Sequence, residues 1–183
     1  MTELSNWMVG IGAVYVLGNG ALLVTPSGAR QVLAVFPRNA WLGRMLAVVA
    51  LAWSMRLVMD MPLGFVEPYK PWLYVIGPVV YFLVVLLMND LLAARAFGGL
   101  LLLVAEPVLA STRVPGLSAW RLVIVALAYA WVVAGMALVL GPYWFRKTVE
   151  TVCRTDARCR LVGSIGLGLG ILMIVLGVTV FAG

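Results

Sequence analysis

Six runs of apolar residues, each about as long as a bilayer-crossing helix and nearly free of charge, leave this chain few ways to fold. They cover Trp7–Val24, Trp41–Met61, Trp72–Met88, Leu91–Ser111, Ala119–Leu140 and Leu161–Phe181. A hydrocarbon core of roughly 30 Å takes about 20 residues of helix to cross. Within it every backbone N–H and C=O needs an internal partner, which a helix supplies by itself. Of the 183 residues, 64% are hydrophobic and 11% charged, against roughly 45–50% and about 25% in soluble domains. The expected fold is all-α: a polytopic membrane bundle of six transmembrane helices in a single domain, 1–183, with no length left for a soluble catalytic domain.

The first run differs from a secretory leader. Residues 2–6 carry Glu3 and no Lys or Arg, and the run ends in Thr25-Pro26 rather than at a small-residue cleavage site, so it is expected to stay as a helix. The third and fourth runs meet at Asn89-Asp90. Residues 72–111 as one helix would measure about 60 Å, too long for a bilayer, so a tight hairpin is expected there.

Basic residues set the expected orientation. Arg30, Arg38, Arg44, Arg95, Arg146, Lys147, Arg154, Arg158 and Arg160 fall at one side of the alternating spans, and Arg56, Lys70, Arg113 and Arg121 at the other. Nine against four places the first group in the cytoplasm and both termini outside it. The net charge of +6 thus reads as a topology signal. Nucleic acid is not an expected partner, because these short loops offer no continuous basic face.

The chain also resembles itself. A shift of 116 residues superposes Ala21, Leu22, Pro26, Arg30, Arg38 and Arg44 on Ala137, Leu138, Pro142, Arg146, Arg154 and Arg160 without a gap. Four crossings separate the copies, so they share one direction, unlike an inverted repeat. Arg95-Ala96-Phe97-Gly98 echoes Arg160-Leu161-Val162-Gly163, and Arg44–Ala47 repeats the rhythm with alanine. Three tandem hairpins are the architecture this predicts.

In the second copy, Pro142-Tyr143-Trp144-Phe145-Arg146-Lys147 follows one helix and Arg160-Leu161-Val162-Gly163 opens a glycine-rich second helix. With these, residues 135–177 resemble the small two-helix bacterial inner-membrane hairpin proteins of unknown function, and residues 20–53 share the pattern more faintly. The resemblance implies a bacterial inner-membrane location and brings no activity with it.

Each loop between the repeat helices reads as a short interfacial helix. Pro142 suits a first turn, and Tyr143, Trp144 and Phe145 suit the membrane boundary. Glu150/Arg154 and Asp156/Arg160 stand at i,i+4 spacing. The basic residues Arg30, Arg38, Arg44, Arg146, Lys147, Arg154, Arg158 and Arg160 are the candidate contacts to lipid headgroups, so membrane lipids are expected partners. Small residues mark close helix approaches: Ala126, Ala130 and Ala134, then Ser164-x-x-x-Gly168 and Gly166-x-x-x-Gly170, with Gly10, Gly12, Gly18 and Gly20 on the first span. Such faces serve packing within the chain, against a membrane-protein partner, or against a second copy.

Chemistry is sparser. The chain has no histidine, which removes the commonest general base and metal ligand, and no cofactor is expected. Cys153 and Cys159 share one basic loop and read as reduced thiols. Asp60, Glu67, Asp90 and Glu106, with Ser54, Ser111 and Thr112 as hydroxyls, form no recognisable catalytic motif, so catalysis, lipid modification included, is the least expected activity. The polar intramembrane candidates are Asn19, Arg56, Asp60, Asn89, Asp90, Arg95 and Glu106, a group that marks either an ion-pair site or a solute path. Arg56 and Glu106 each stand five residues beyond the midpoints of their runs, an equal depth that predicts pairing, with Asp60 competing for Arg56. The second and fourth runs, which hold these charges, are expected to face protein. The function expected first is a packing or accessory subunit of a larger membrane complex; the alternative is a small transporter or channel for an ion or small solute.

Overall fold

A computed structural model of the protein describes residues 3–62, 64–87, 91–114 and 118–181. Eight α-helices follow in order: α1 Glu3–Val24, α2 Pro26–Val35, α3 Ala40–Asp60, α4 Leu73–Leu87, α5 Leu92–Ser111, α6 Arg121–Leu140, α7 Tyr143–Val152 and α8 Asp156–Thr179. Short 3₁₀ segments at Phe36–Arg38 and Gly64–Trp72 precede α3 and α4. Six helices are long and apolar enough to cross a membrane: α1, α3, α5, α6, α8, and α4 extended back to Glu67. The fold is an all-α integral membrane bundle, and its spans are the six apolar runs.

Local chemistry explains where the helices start and stop. The Asn39 side chain accepts the Leu42 N–H at 3.1 Å and caps α3. Thr155 does the same for the Arg158 N–H at the head of α8. That cap starts α8 five residues before the apolar run at Leu161, so its basic first turns precede the apolar stretch. At the far end of α3, Lys70 Nζ donates to the Met59 carbonyl at 2.9 Å, and Arg121 donates to the Thr112 and Val114 carbonyls at the end of α5. Cations on terminal carbonyls satisfy orphan acceptors and complement the helix dipole.

Packing is set by glycine. α1 lies antiparallel along α8: a Cβ on Gly12 would stand 2.7 Å from the Gly170 carbonyl oxygen, and one on Gly170 2.9 Å from that of Gly12. Further along the same seam, Ser5 Oγ donates to the Gly177 carbonyl at 2.8 Å. α5 and α6 are antiparallel and equally close, with Gly98 against Gly135. α3 runs parallel to α5, and a Cβ on Gly43 would lie 2.8 Å from the Ala93 nitrogen. Such approaches maximise dispersion contacts where lipid removes the usual hydrophobic drive. Met8, Val108, Ile124 and Met173 form the centre of the core, joining α1, α5, α6 and α8.

These partnerships are not those of three self-contained hairpins. α1 makes its extensive contact with α8, and α5 lies between α3 and α6. The segments 3–60 and 121–179 do share an element order of long helix, ten-residue helix and long helix. The turn at Asn89-Asp90 lies outside the described residues. α5 faces protein as expected, burying eight residues, though through small and apolar side chains and not its charges, whereas α3, expected to do the same, buries only Gly43 and Ala47. Ala126, Ala130 and Ala134 are exposed; α6 packs instead through Ile124, Ala128, Gly135 and Leu138, because Gly135 permits the closer approach.

Candidate functional site

The polar residues of the spans are dispersed, and most bond to backbone. Asn19 Nδ2 donates to the Tyr15 carbonyl at 2.9 Å, and the same amide occupies the space that a Cβ on Gly166 would need. Ser54 Oγ donates to the Ala50 carbonyl at 2.8 Å. Ser111 and Thr112 turn back to the Val108 and Leu109 carbonyls, each at 2.7 Å. Hydroxyls held this way are satisfied inside lipid and are not set as nucleophiles.

The two intramembrane charges expected to meet do not form an ion pair. Arg56 Nε lies 3.9 Å from Asp60 Oδ2 on the same helix, and both side chains are largely exposed. Glu106 is exposed on α5 and has no ion-pair partner among the described residues. Equal depth was the wrong criterion, because it ignores azimuth: Arg56 and Glu106 both point away from the protein, and Asp60 stands one turn beyond Arg56 on its own face. Asn89 and Asp90 lie outside the described residues.

Arg95 is placed differently. It is half-buried in the first turns of α5, and its Nε is enclosed without a hydrogen-bond partner. It lines a groove of about 410 Å³ whose other walls include Ala47 and Ser54 of α3, Val84 of α4 and Gly99 and Leu103 of α5. A larger groove, about 900 Å³, runs between α1, α5 and α6 past Trp7, Tyr15, Phe97, Val104 and Trp131. On its wall the Trp131 indole donates to the Tyr15 hydroxyl at 3.0 Å.

The basic loop residues gather at the end where α3, α5 and α8 begin. Arg38, Arg44, Arg146, Lys147, Arg154, Arg158 and Arg160 are exposed, and Arg30 is half-buried. Arg30 forms an ion pair with Asp156, tying α2 to the first turn of α8. Asp156 therefore pairs with Arg30 of α2 rather than with Arg160. Glu150 pairs back with Arg146 at 3.3 Å and not forward with Arg154, because α7 stops at Val152 and its helical register ends there. Lys147 Nζ sits 4.9 Å above the Trp144 ring, a cation–π contact at the expected aromatic boundary.

Beside these, Cys153 and Cys159 are buried with their sulfurs 3.0 Å apart, close enough to share a hydrogen bond. Burial, then the neighbouring Cys159 thiol, pushes the Cys153 thiol from the ordinary 9.0 up to about 11. Three aromatic rings, Phe36 against Phe97 and Phe145, seal the same end. Sequence reasoning missed the Phe36–Phe97–Phe145 cluster and the Tyr15–Trp131 bond, since each joins residues distant in the chain. Among the described residues, no group of three or more metal-ligating side chains comes together.

Compared with protein-family models, curated proteins and solved structures, the chain matches none.

Proposed function

We propose that the protein is a non-catalytic packing or accessory subunit of a larger membrane complex. The observation that carries this reading is how the small-residue faces divide. On α8, Gly166 and Gly170 are spent on α1, while Ser164 and Gly168, one face round, are exposed, and a Cβ on Gly168 would meet nothing within 4 Å. Ala126, Ala130 and Ala134 of α6 and Gly10 and Gly18 of α1 are exposed as well. Faces of this kind support close helix–helix packing, and the chain's own helices leave them open. The satisfied hydroxyls and amide of the spans point the same way, since they leave few groups to line a solute path.

The topology that fits this reading is six spans in a bacterial inner membrane, both termini outside the cytoplasm and the loops around 26–40 and 142–160 inside. Three of the four basic residues at the other end have local work: Arg56 with Asp60, and Lys70 and Arg121 on helix-end carbonyls. The shared element order of 3–60 and 121–179 supports a duplication with parallel copies. Transport of an ion or small solute is the second reading, and Glu106, an exposed intramembrane acid without an ion-pair partner among the described residues, is the observation that favours it.

Purification of the full chain in mild detergent decides between them. A stoichiometric partner that is lost from Gly168→Leu or Ala130→Leu, each still folded, is the expected result. A lone chain or homo-oligomer that passes a solute in vesicles, with loss of flux in Glu106→Gln, would replace the subunit reading with transport.

A further inference from the structure

We propose that the groove between α3, α4 and α5 is a binding site for one anionic phospholipid, with Arg95 holding the phosphate and the groove taking an acyl chain. The site goes beyond the subunit reading and does not depend on it. Arg95 is half-buried and its Nε is enclosed without a hydrogen-bond partner, a cationic donor beside an apolar groove that an anion would satisfy. Ser54, the other polar side chain on the groove wall, is committed to Ala50, so Arg95 is the group left to recognise a ligand.

Geometry selects a lipid over a small anion. Arg95 stands three residues past the start of α5, about 4–5 Å into the helix at 1.5 Å per residue, which is headgroup depth. From there the groove follows α5 to Leu103, about 12 Å deeper. Its volume of about 410 Å³ lies within the usual range for ligand sites. The head-to-tail order is that of a lipid: cation at the boundary, apolar walls further in. Because Gly43 of α3 packs on Ala93, the first turns of α3 and α5 lie at the same level, and Arg95 stands at that end of the groove. Arginine suits this role, since its planar donors match phosphate oxygens.

Gly99 makes the proposal testable without disturbing the fold. It lines the groove, yet a Cβ there would meet nothing within 4 Å, so Gly99→Leu fills the space that an acyl chain would take. Native mass spectrometry of the full chain, exchanged into detergent with phosphatidylglycerol or phosphatidylcholine of identical chains, reads the retained lipid directly. The expected result is one phosphatidylglycerol held about tenfold more strongly than phosphatidylcholine, the size of one charge-assisted contact. Arg95→Gln should abolish that preference, Arg95→Lys should keep most of it, and Gly99→Leu should lose both lipids while eluting as a folded protein. Millimolar inorganic phosphate should not displace the lipid, because it brings no chain; displacement would show a phosphate site and overturn the proposal. Equal retention of the two lipids would overturn it too, as would an Arg95→Gln protein with unchanged preference, or a Gly99→Leu protein that binds like wild type. A dimer that Gly99→Leu dissociates, with no lipid preference, would assign the groove to a second copy instead. Asp90, five residues before Arg95, is the rival anion within the chain, and a lipid preference that appears only in Asp90→Asn would also reject the proposal.

Discussion

A methyl group decides the fit of α1 against α8. At Gly12 an added Cβ would stand 2.7 Å from a backbone oxygen that has little freedom to move, and at Gly168 it would stand in open space. Gly12→Ala should therefore lower stability by about 1–3 kcal/mol through overpacking, whereas Gly168→Ala should be neutral or gain up to about 1 kcal/mol from helix propensity. Unfolding of the two variants in mixed micelles checks the contrast; similar losses would contradict the seam. The charged residues yield a second prediction. With Arg56 on Asp60 and Glu106 turned outward, Glu106→Gln should change stability by no more than about 0.5 kcal/mol, and a cycle with Arg56→Gln should be additive. A coupling above about 1 kcal/mol would restore the cross-helix pair.

The corner between α7 and α8 behaves as one unit, because its parts share neighbours. Cys153 closes α7, Cys159 lies in the first turns of α8, and the Arg30–Asp156 pair ties the corner to α2. With the Cys153 thiol raised to about 11 by burial and by Cys159, the folded protein should alkylate slowly at pH 7–8 and faster as the pH approaches 11. The sign for stability follows: between about 9 and 11 the folded state holds a proton that the unfolded state has released, so stability falls as pH rises through that window. A time course of iodoacetamide modification across pH 7–11 measures the effect, and rapid labelling at pH 7 would show the thiols open. Topology mapping therefore needs an introduced cysteine at an exposed site such as Thr148, in a chain with both native cysteines replaced by serine. An impermeant maleimide applied to intact cells should leave it unmodified if the loop is cytoplasmic.

Across the bundle, burial is uneven. α5 is enclosed by α3 and α6, while α4 buries none of its residues and rests mainly on α3, where Gly77 faces Met55. Opening free energy tracks the contacts that must be broken, so α4 should exchange its amide hydrogens faster than α5 in a lipid nanodisc. Comparable protection of α4 and α5 in an isolated chain would contradict this ranking. With α1 antiparallel to α8, residues 3 and 179 come to the same end of the bundle, and tags fused at the two termini should have the same accessibility in intact cells.

Six spans, their limits to within a few residues, and the glycine seam of α8 were legible in the sequence, because each depends on local hydrophobicity, capping or spacing. Arg95 and the exposed loop arginines were legible as candidates for the same reason, since a charge in an apolar run stands out. Azimuth and partnership were not. Whether Ala130 or Ala128 of α6 faces inward, whether Asp156 meets Arg160 or Arg30, and whether α1 packs on α3 or on α8 depend on which helices lie side by side. In a membrane each helix satisfies its own backbone and finds lipid as apolar as a neighbour, so the order of the bundle rests on the fit of surfaces far apart in the chain. That fit, glycine against glycine and indole against hydroxyl, was decided by the tertiary structure alone.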